Sequence, residues 1–239
     1  MGIMAPKKIR KLRDLYRVGL DWQFFLDEVR AEVKPGETML DAGAGECKWR
    51  ENFPECNYIG LDYKVGDATW DFSKVLLEAN LNEKIPLEDT SVDVVICIQV
   101  LEHLSEPKQA LREMARVLKP GHCVFLTTPF CQAEHQQPYD FYRYTRYGLA
   151  YLAREAGLEV CYIKPMGGYF LLMRDLLTQM HHVQFYNASP WINIISWPWR
   201  MALKVLNVAL MPPILALLDK LDTHPALTLG YMTKARKPV

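Results

Sequence analysis

The sequence has six cysteines (Cys47, Cys56, Cys97, Cys123, Cys131 and Cys161) but no Cys-x-x-Cys pair. That excludes the usual zinc-ribbon and disulfide patterns and suits reduced thiols in a cytoplasmic protein. It also lacks net charge, with 28 Lys and Arg against 28 Asp and Glu, so a dedicated nucleic-acid binder is not expected. No Gly-Lys-Ser or Gly-Lys-Thr follows a glycine turn, which removes a P-loop. The basic start MGIMAPKKIRKLRDLYR is followed by no apolar h-region, and no signal peptide is expected. The apolar run at 205–218, VLNVALMPPILALL, contains Asn207 and Pro212-Pro213 and falls short of the roughly 20 residues of a simple membrane span. What is present suffices for a real core: 239 residues, 50% of them hydrophobic, most simply one domain with an elaboration.

From about residue 36 to 164, short apolar runs alternate with helical stretches, the signature of βαβ units and a parallel sheet. ETMLDAG reads as a first strand, ECKWRENF as the helix after it, and NYIGLDY as a second strand. A weak third strand is expected near LLEANL, a fourth in SVDVVICIQV and a fifth in HCVFLTTP. Between the last two, SEPKQALREMARVLKPG reads as a helix with Ser105 as N-cap, Pro107 in the first turn and Pro120-Gly121 as its stop. TRYGLAYLAREAG and EVCYIKP supply a further helix and strand, and LTLGYMTKARK a last strand.

The stretch LDAGAGECKWR, residues 40–50, carries the chemistry. Gly43 and Gly45 fit the first two glycines of a dinucleotide loop, but the third place is Lys48. Asp41, in front of the loop, would repel a phosphate, yet it can accept hydrogen bonds from a cationic ligand. S-adenosylmethionine is cationic and carries no phosphate. Asp62 ends the second strand about twenty residues on, where a carboxylate reaches the ribose hydroxyls of a nucleoside.

The runs MLDAGAG, GLDY, IPLEDTSVDVVICIQVLEHL and EMARVLKPGHCVFLTTP, within residues 36–164, resemble the class I S-adenosylmethionine-dependent methyltransferases, in particular those with the ubiquinone and menaquinone methyltransferase type of domain. The resemblance implies an α/β, Rossmann-like, doubly wound and mostly parallel seven-stranded sheet with an antiparallel last strand. By it, Asp41, Gly43 and Gly45 form the cofactor loop and Asp62 binds the ribose. Asn80 and Leu81 stand beside the adenine, and Gln99 and Val100 line the methionine and adenine side. Two positions depart from the family: Cys47 replaces a frequent glycine, and Asn80 replaces the usual Asp. Glu102-His103 recurs in the family, and here it is read as fixing the turn after the fourth strand.

Methyl transfer needs alignment, plus a base where the nucleophile is a hydroxyl. The segment HQQPYDFYRYT supplies candidates: His135 as general base, Asp140 to orient it or bind substrate, and Arg143 to pair with a substrate anion or with Asp140. Its tyrosines and Phe141 suit a ring-like or amphipathic acceptor and equally suit packing.

Residues 165–227 form an apolar, helical insertion before the last strand, longer than an ordinary loop. Three of the six tryptophans fall in WINIISWPWR, a composition that suits a membrane interface, a lid or a dimer surface. The first 35 residues read as a basic amphipathic segment, with Ile9, Leu12, Tyr16 and Leu20 near one helical face, able to rest on anionic lipid. His181-His182 are adjacent rather than a turn apart, so no metal ligand is expected. The expected domains are thus 1–35, the core at 36–164, the insertion at 165–227 and the last strand and tail at 228–239. The leading expectation is a methyltransferase acting at oxygen of a hydrophobic or lipid-linked acceptor, cytoplasmic or peripheral at the inner face of the membrane. The alternatives are a non-catalytic subunit that binds a partner through the insertion, or a methyltransferase of a polar envelope sugar. An NAD-linked oxidoreductase is disfavoured by Lys48 and Asp41.

Overall fold

A computed structural model describes residues 22–66, 69–179, 190–206, 210–223 and 225–239. The chain divides into two compact units, one of residues 22–165 and 230–239, and one that includes residues 166–229. The expected basic helix around Ile9 to Leu20 and the pair His181-His182 lie outside the described residues.

The first unit is a seven-stranded sheet. Its strands are β1 (Thr38–Ala42), β2 (Asn57–Asp62), β3 (Leu77–Glu78), β4 (Val92–Ile98), β5 (Leu118–Pro129), β6 (Glu159–Pro165) and β7 (Gly230–Arg236). They lie in the order β3-β2-β1-β4-β5-β7-β6. The first five run parallel and β7 is antiparallel to both β5 and β6. Order reverses at β1 and β4, so the carboxyl ends of these strands flank the crevice where such sheets bind ligands. The centre reads as continuous apolar sequence because both faces are covered: Val94, Val95 and Ile96 of β4 and Val124 and Phe125 of β5 are fully buried.

Helices α1 (Trp22–Glu32), α2 (Pro107–Val117) and α3 (Arg146–Glu155) pack on this sheet. Phe25 of α1 meets Phe125 edge to face, and Glu32 at its end pairs with Lys234 of β7 at 2.6 Å. The amphipathic spacing of α2 buries Ala110, Leu111, Met114 and Val117. The hydroxyl oxygen of Thr145 caps α3 by accepting from the Gly148 N–H at 3.0 Å.

Three local expectations are corrected. ECKWRENF does not continue as an α-helix but forms turns and one short 3-10 turn at Arg50–Asn52. Gly43, Gly45 and Cys47 take φ of +83°, +53° and +53°, and left-handed backbone at alternate positions cannot start a right-handed helix. Ser105 is not the N-cap of α2; Glu106 holds that place without a side-chain hydrogen bond, and Pro107 follows in the first turn, where its fixed φ suits the helix start. Finally, α2 ends at Val117 and leads directly into β5, whose opening residues include Pro120 and Gly121, so that pair follows the helix end instead of making it.

The second unit contains α4 (Tyr169–Gln179), α5 (Pro190–Val205) and α6 (Met211–Asp219). The carboxylates of Asp219 and Asp222 accept the N–H groups of Gly168, Tyr169 and Leu171 at 2.9 to 3.1 Å, which satisfies the amino end of α4. Leu171, Leu172 and Leu215 are buried, whereas Trp191, Ile195, Trp197 and Trp199 of α5 are exposed. No helix among the described residues is long and apolar enough to cross a membrane.

Candidate cofactor and acceptor site

The loop after β1 is set by backbone hydrogen bonds. Gly43 and Ala44 donate to the Leu61 carbonyl at 2.8 and 2.9 Å. A side chain at Gly43 would overlap Val100, which lies at the end of β4. The Gly45 N–H donates to Asp62 Oδ2 at 2.8 Å, and the Lys64 N–H donates to Asp62 Oδ1 at 2.6 Å. Asp62 thus holds the loop and keeps lone pairs on both oxygens for further donors, such as ribose hydroxyls. The Trp70 ring lies against Gly45 and Gly66.

Cys47 explains its own departure from the family. It adopts the left-handed backbone that a glycine would supply, is buried, packs its sulfur against Gly60 and donates to the Lys74 carbonyl at 3.4 Å. Asp41 lies beneath the loop, 1% exposed, and accepts the Tyr58 hydroxyl. Burial raises its pKa to about 7 against that hydrogen bond. Asn80 follows β3, where Ala79 donates to the Asp62 carbonyl at 3.1 Å. The Asn80 side-chain oxygen accepts the Asn82 N–H at 3.0 Å and its amide donates to Glu83, while Leu81 is a core side chain. Gln99 has φ of +54° and is pinned to Thr127 by backbone and side chain.

The second part of the site is the loop 130–144 after β5, which folds onto the turn after β4. Phe141 and Tyr142 donate their N–H groups to the Glu102 carbonyl, and the Tyr144 hydroxyl donates to the Leu101 carbonyl at 2.8 Å. Arg143 makes a bidentate pair with Asp140 at 2.7 and 2.8 Å and also donates to the carbonyls of Gln132, Ala133 and Tyr142. Asp140 accepts the His135 N–H as well, and the Arg143 hydrogen bonds hold its carboxyl far below the usual range. Both side chains are therefore committed to the shape of this loop, and the 3.6 Å from Asp140 to His135 Nδ1 is too long for a hydrogen bond that orients the ring.

The fold also unites residues that sequence reasoning kept apart. Glu102, His103 and His135 converge, with their ligand-capable atoms within 4.8 Å of one another. The two imidazoles meet edge to face at 4.8 Å. Glu102 is fully buried, which pushes its pKa up to about 8, and burial lowers that of His103. The adjacent Glu-His pair was visible in sequence; that His135 joins it depends on a contact across 32 residues.

Residues 40–126 match the family model of the methyltransferase domain. They form a class I S-adenosylmethionine-dependent methyltransferase domain. Its cofactor is S-adenosylmethionine. The chain is 35% identical over 99 residues, 39% of its length, to a Mycolicibacterium smegmatis protein described as a probable S-adenosylmethionine-dependent methyltransferase, and covers 38% of that protein. It is 29% identical over 136 residues, 52% of its length, to the ubiquinone biosynthesis O-methyltransferase of Hahella chejuensis, covering 54% of it. The chain thus spans about two fifths to half the length of these curated relatives. Among solved structures, a SAM-dependent methyltransferase from Aquifex aeolicus superposes with TM-score 0.51 at 25% identity, over 69% of this chain and 94% of that one. A tRNA methyltransferase of Arabidopsis thaliana also matches, at 35% identity over 38% of this chain and 24% of its own. Neutral net charge is therefore no ground for setting nucleic acid aside.

The methyltransferase domain fits its cofactor where the structure can be tested. Asp41 stands one residue before the end of β1, Asp62 ends the neighbouring β2, and at Gly43 a side chain would overlap Val100.

Proposed function

We propose that the protein transfers a methyl group from S-adenosylmethionine to a hydroxyl oxygen of a hydrophobic or lipid-linked acceptor. Gly43, Gly45 and Asp62 would hold the cofactor, which supplies a methyl group activated on a sulfonium. The observation that carries the acceptor class is the loop after β5: it presents Tyr139, Phe141 and Tyr142 to solvent beside His135, at the edge of the sheet where acceptor meets cofactor. The Glu102, His103 and His135 cluster is the group there placed to assist the loss of the hydroxyl proton. The similarity to a ubiquinone biosynthesis O-methyltransferase supports oxygen and a lipophilic acceptor. The exposed tryptophans of α5 support a helix resting on a membrane surface at its inner face.

The test is to incubate the purified protein with methyl-labelled S-adenosylmethionine and a cell extract, then divide the label among organic, small aqueous, RNA and protein fractions. Label in the organic phase is the expected result. Label in RNA or in a polar sugar overturns the acceptor class, and cofactor binding without transfer to any fraction overturns catalysis.

A further inference from the structure

Both oxygens of Glu102 and the Nε2 atom of His103 are buried without a hydrogen-bond partner among the described residues. A buried carboxylate in that state is costly, since nothing replaces the water it has lost. The imidazoles show what is aimed at it. His103 Nδ1 lies 2.6 Å from the Tyr139 carbonyl oxygen and His135 Nδ1 lies 3.1 Å from that of Ala133. A carbonyl only accepts, so His103 Nδ1 carries the hydrogen and its Nε2 keeps its lone pair; at His135 the nearer partner of Nδ1 is likewise a carbonyl, with the Arg143 guanidinium at 3.5 Å, and the lone pair falls on Nε2 when the hydrogen faces Ala133. Those two Nε2 atoms stand 3.8 and 4.0 Å from the same Glu102 oxygen, Oε1. The separations are too long for hydrogen bonds. Three groups able to donate an electron pair therefore surround one small space, and the Arg143 guanidinium beside it is engaged by Asp140.

We infer that Glu102, His103 and His135 are the protein ligands of a single divalent transition-metal ion of the zinc type. Zinc bonds to imidazole nitrogen and carboxylate oxygen are about 2.0–2.2 Å long, so a tetrahedral ion holds its ligand atoms about 3.4 Å apart, and the 3.8 and 4.0 Å found here close to that spacing with a small side-chain shift. The His103 Nδ1 hydrogen on the Tyr139 carbonyl is an outer contact of the kind that fixes ring tautomer and aim at metal-binding histidines. Two imidazoles favour a zinc-like ion over calcium or magnesium, which take oxygen donors. Three protein ligands is also the number that leaves a place for water or an acceptor oxygen. The site's existence is independent of the proposed reaction; its role, lowering the pKa of a bound acceptor hydroxyl, rests on that reading.

The test uses the full chain, stripped with a chelator and titrated with Co2+ alone. Wild type is expected to take up one Co2+ per chain, with visible ligand-field absorption that Zn2+ abolishes. Glu102→Gln and His135→Ala are each expected to weaken uptake at least about 100-fold, beyond the 10- to 100-fold typical of outer-contact losses. Binding of S-adenosylmethionine, measured alongside, reports folding; His135, at the partly exposed end of the cluster, gives the variant whose fold is least at risk. No saturable Co2+ uptake by wild type, or uptake unchanged in His135→Ala, overturns the site. A Co2+-loaded protein that transfers no methyl group tells against the proposed function and leaves the site standing.

Discussion

At the end of β1 and at the end of β4, a loop closes over a deeply buried acid, and the two ends treat that acid differently. Asp41 accepts the Tyr58 hydroxyl, and the loop above it is shaped by left-handed backbone at Gly43, Gly45 and Cys47. Glu102 has no hydrogen-bond partner for either oxygen among the described residues, and the loop above it is shaped by the Arg143 and Asp140 pair. The first end is internally satisfied before any ligand arrives. The second has spent its strongest charges on holding its own loop and leaves an acid and two imidazoles facing each other. Polar satisfaction, more than burial, separates the part built for shape from the part that awaits a charge.

The largest effect that sharpens this contrast is a slope with pH. A carboxyl whose folded pKa is raised binds more protons in the folded than in the unfolded state between the two values. Asp41, raised from 3.8 to about 7, therefore stabilises the fold less and less as pH rises through that window, with no further change above it. At about 1.4 kcal/mol per unit, the span is about 4 kcal/mol. Asp41→Asn removes the slope. Urea unfolding of both proteins at several pH values should show the difference in stability moving toward the variant between pH 4 and 7. A constant difference would mean that Tyr58 alone settles the Asp41 charge.

Next in size, Arg143→Ala should cost about 3 kcal/mol, since it strips a largely buried carboxylate of its partner and frees three carbonyls. Arg143→Lys keeps the charge but not the fork and should restore less than half of the loss. Equal stability of the lysine and wild-type proteins in urea would show that charge alone holds this loop.

The fold was legible because its strands are long apolar runs and α3 carries its own cap at Thr145. The first loop was legible in its acids and glycines, which announce strained backbone and a ligand without phosphate. What sequence could not give was pairing. Asp140 and Arg143 read equally well as substrate groups or as a staple, and only five donated hydrogen bonds from one guanidinium decide for the staple. Glu102 read as part of a turn because its burial and its distance to His135 are products of the sheet. The missing helix after β1 had the opposite cause: ECKWRENF has helical composition, and the positive φ of the residues before it overrides that preference.

Gly43→Ala breaks the first end directly. Its φ of +83° strains any side chain, and the added carbon overlaps Val100. About 2 kcal/mol of stability should be lost, together with at least tenfold in S-adenosylmethionine affinity by calorimetry. Adding Val100→Ala makes room and should return about half of the stability, because the backbone strain stays. Complete recovery would assign the glycine to space alone.

The smallest effect concerns Cys47, which stands where the family resemblance implies a frequent glycine. Cys47→Gly relieves the cost of φ at +53°, about 1 kcal/mol, and loses a buried sulfur packed on Gly60, also about 1 kcal/mol, so its net change should stay under about 1 kcal/mol. Cys47→Ala keeps the strain and loses the sulfur, and should be the less stable of the two by thermal unfolding. The reverse order would mean that the sulfur contact outweighs the conformation. Cys47 would then be a packing residue that tolerates its backbone, and the rigidity of the first loop would come from its underside instead of from its left-handed turns.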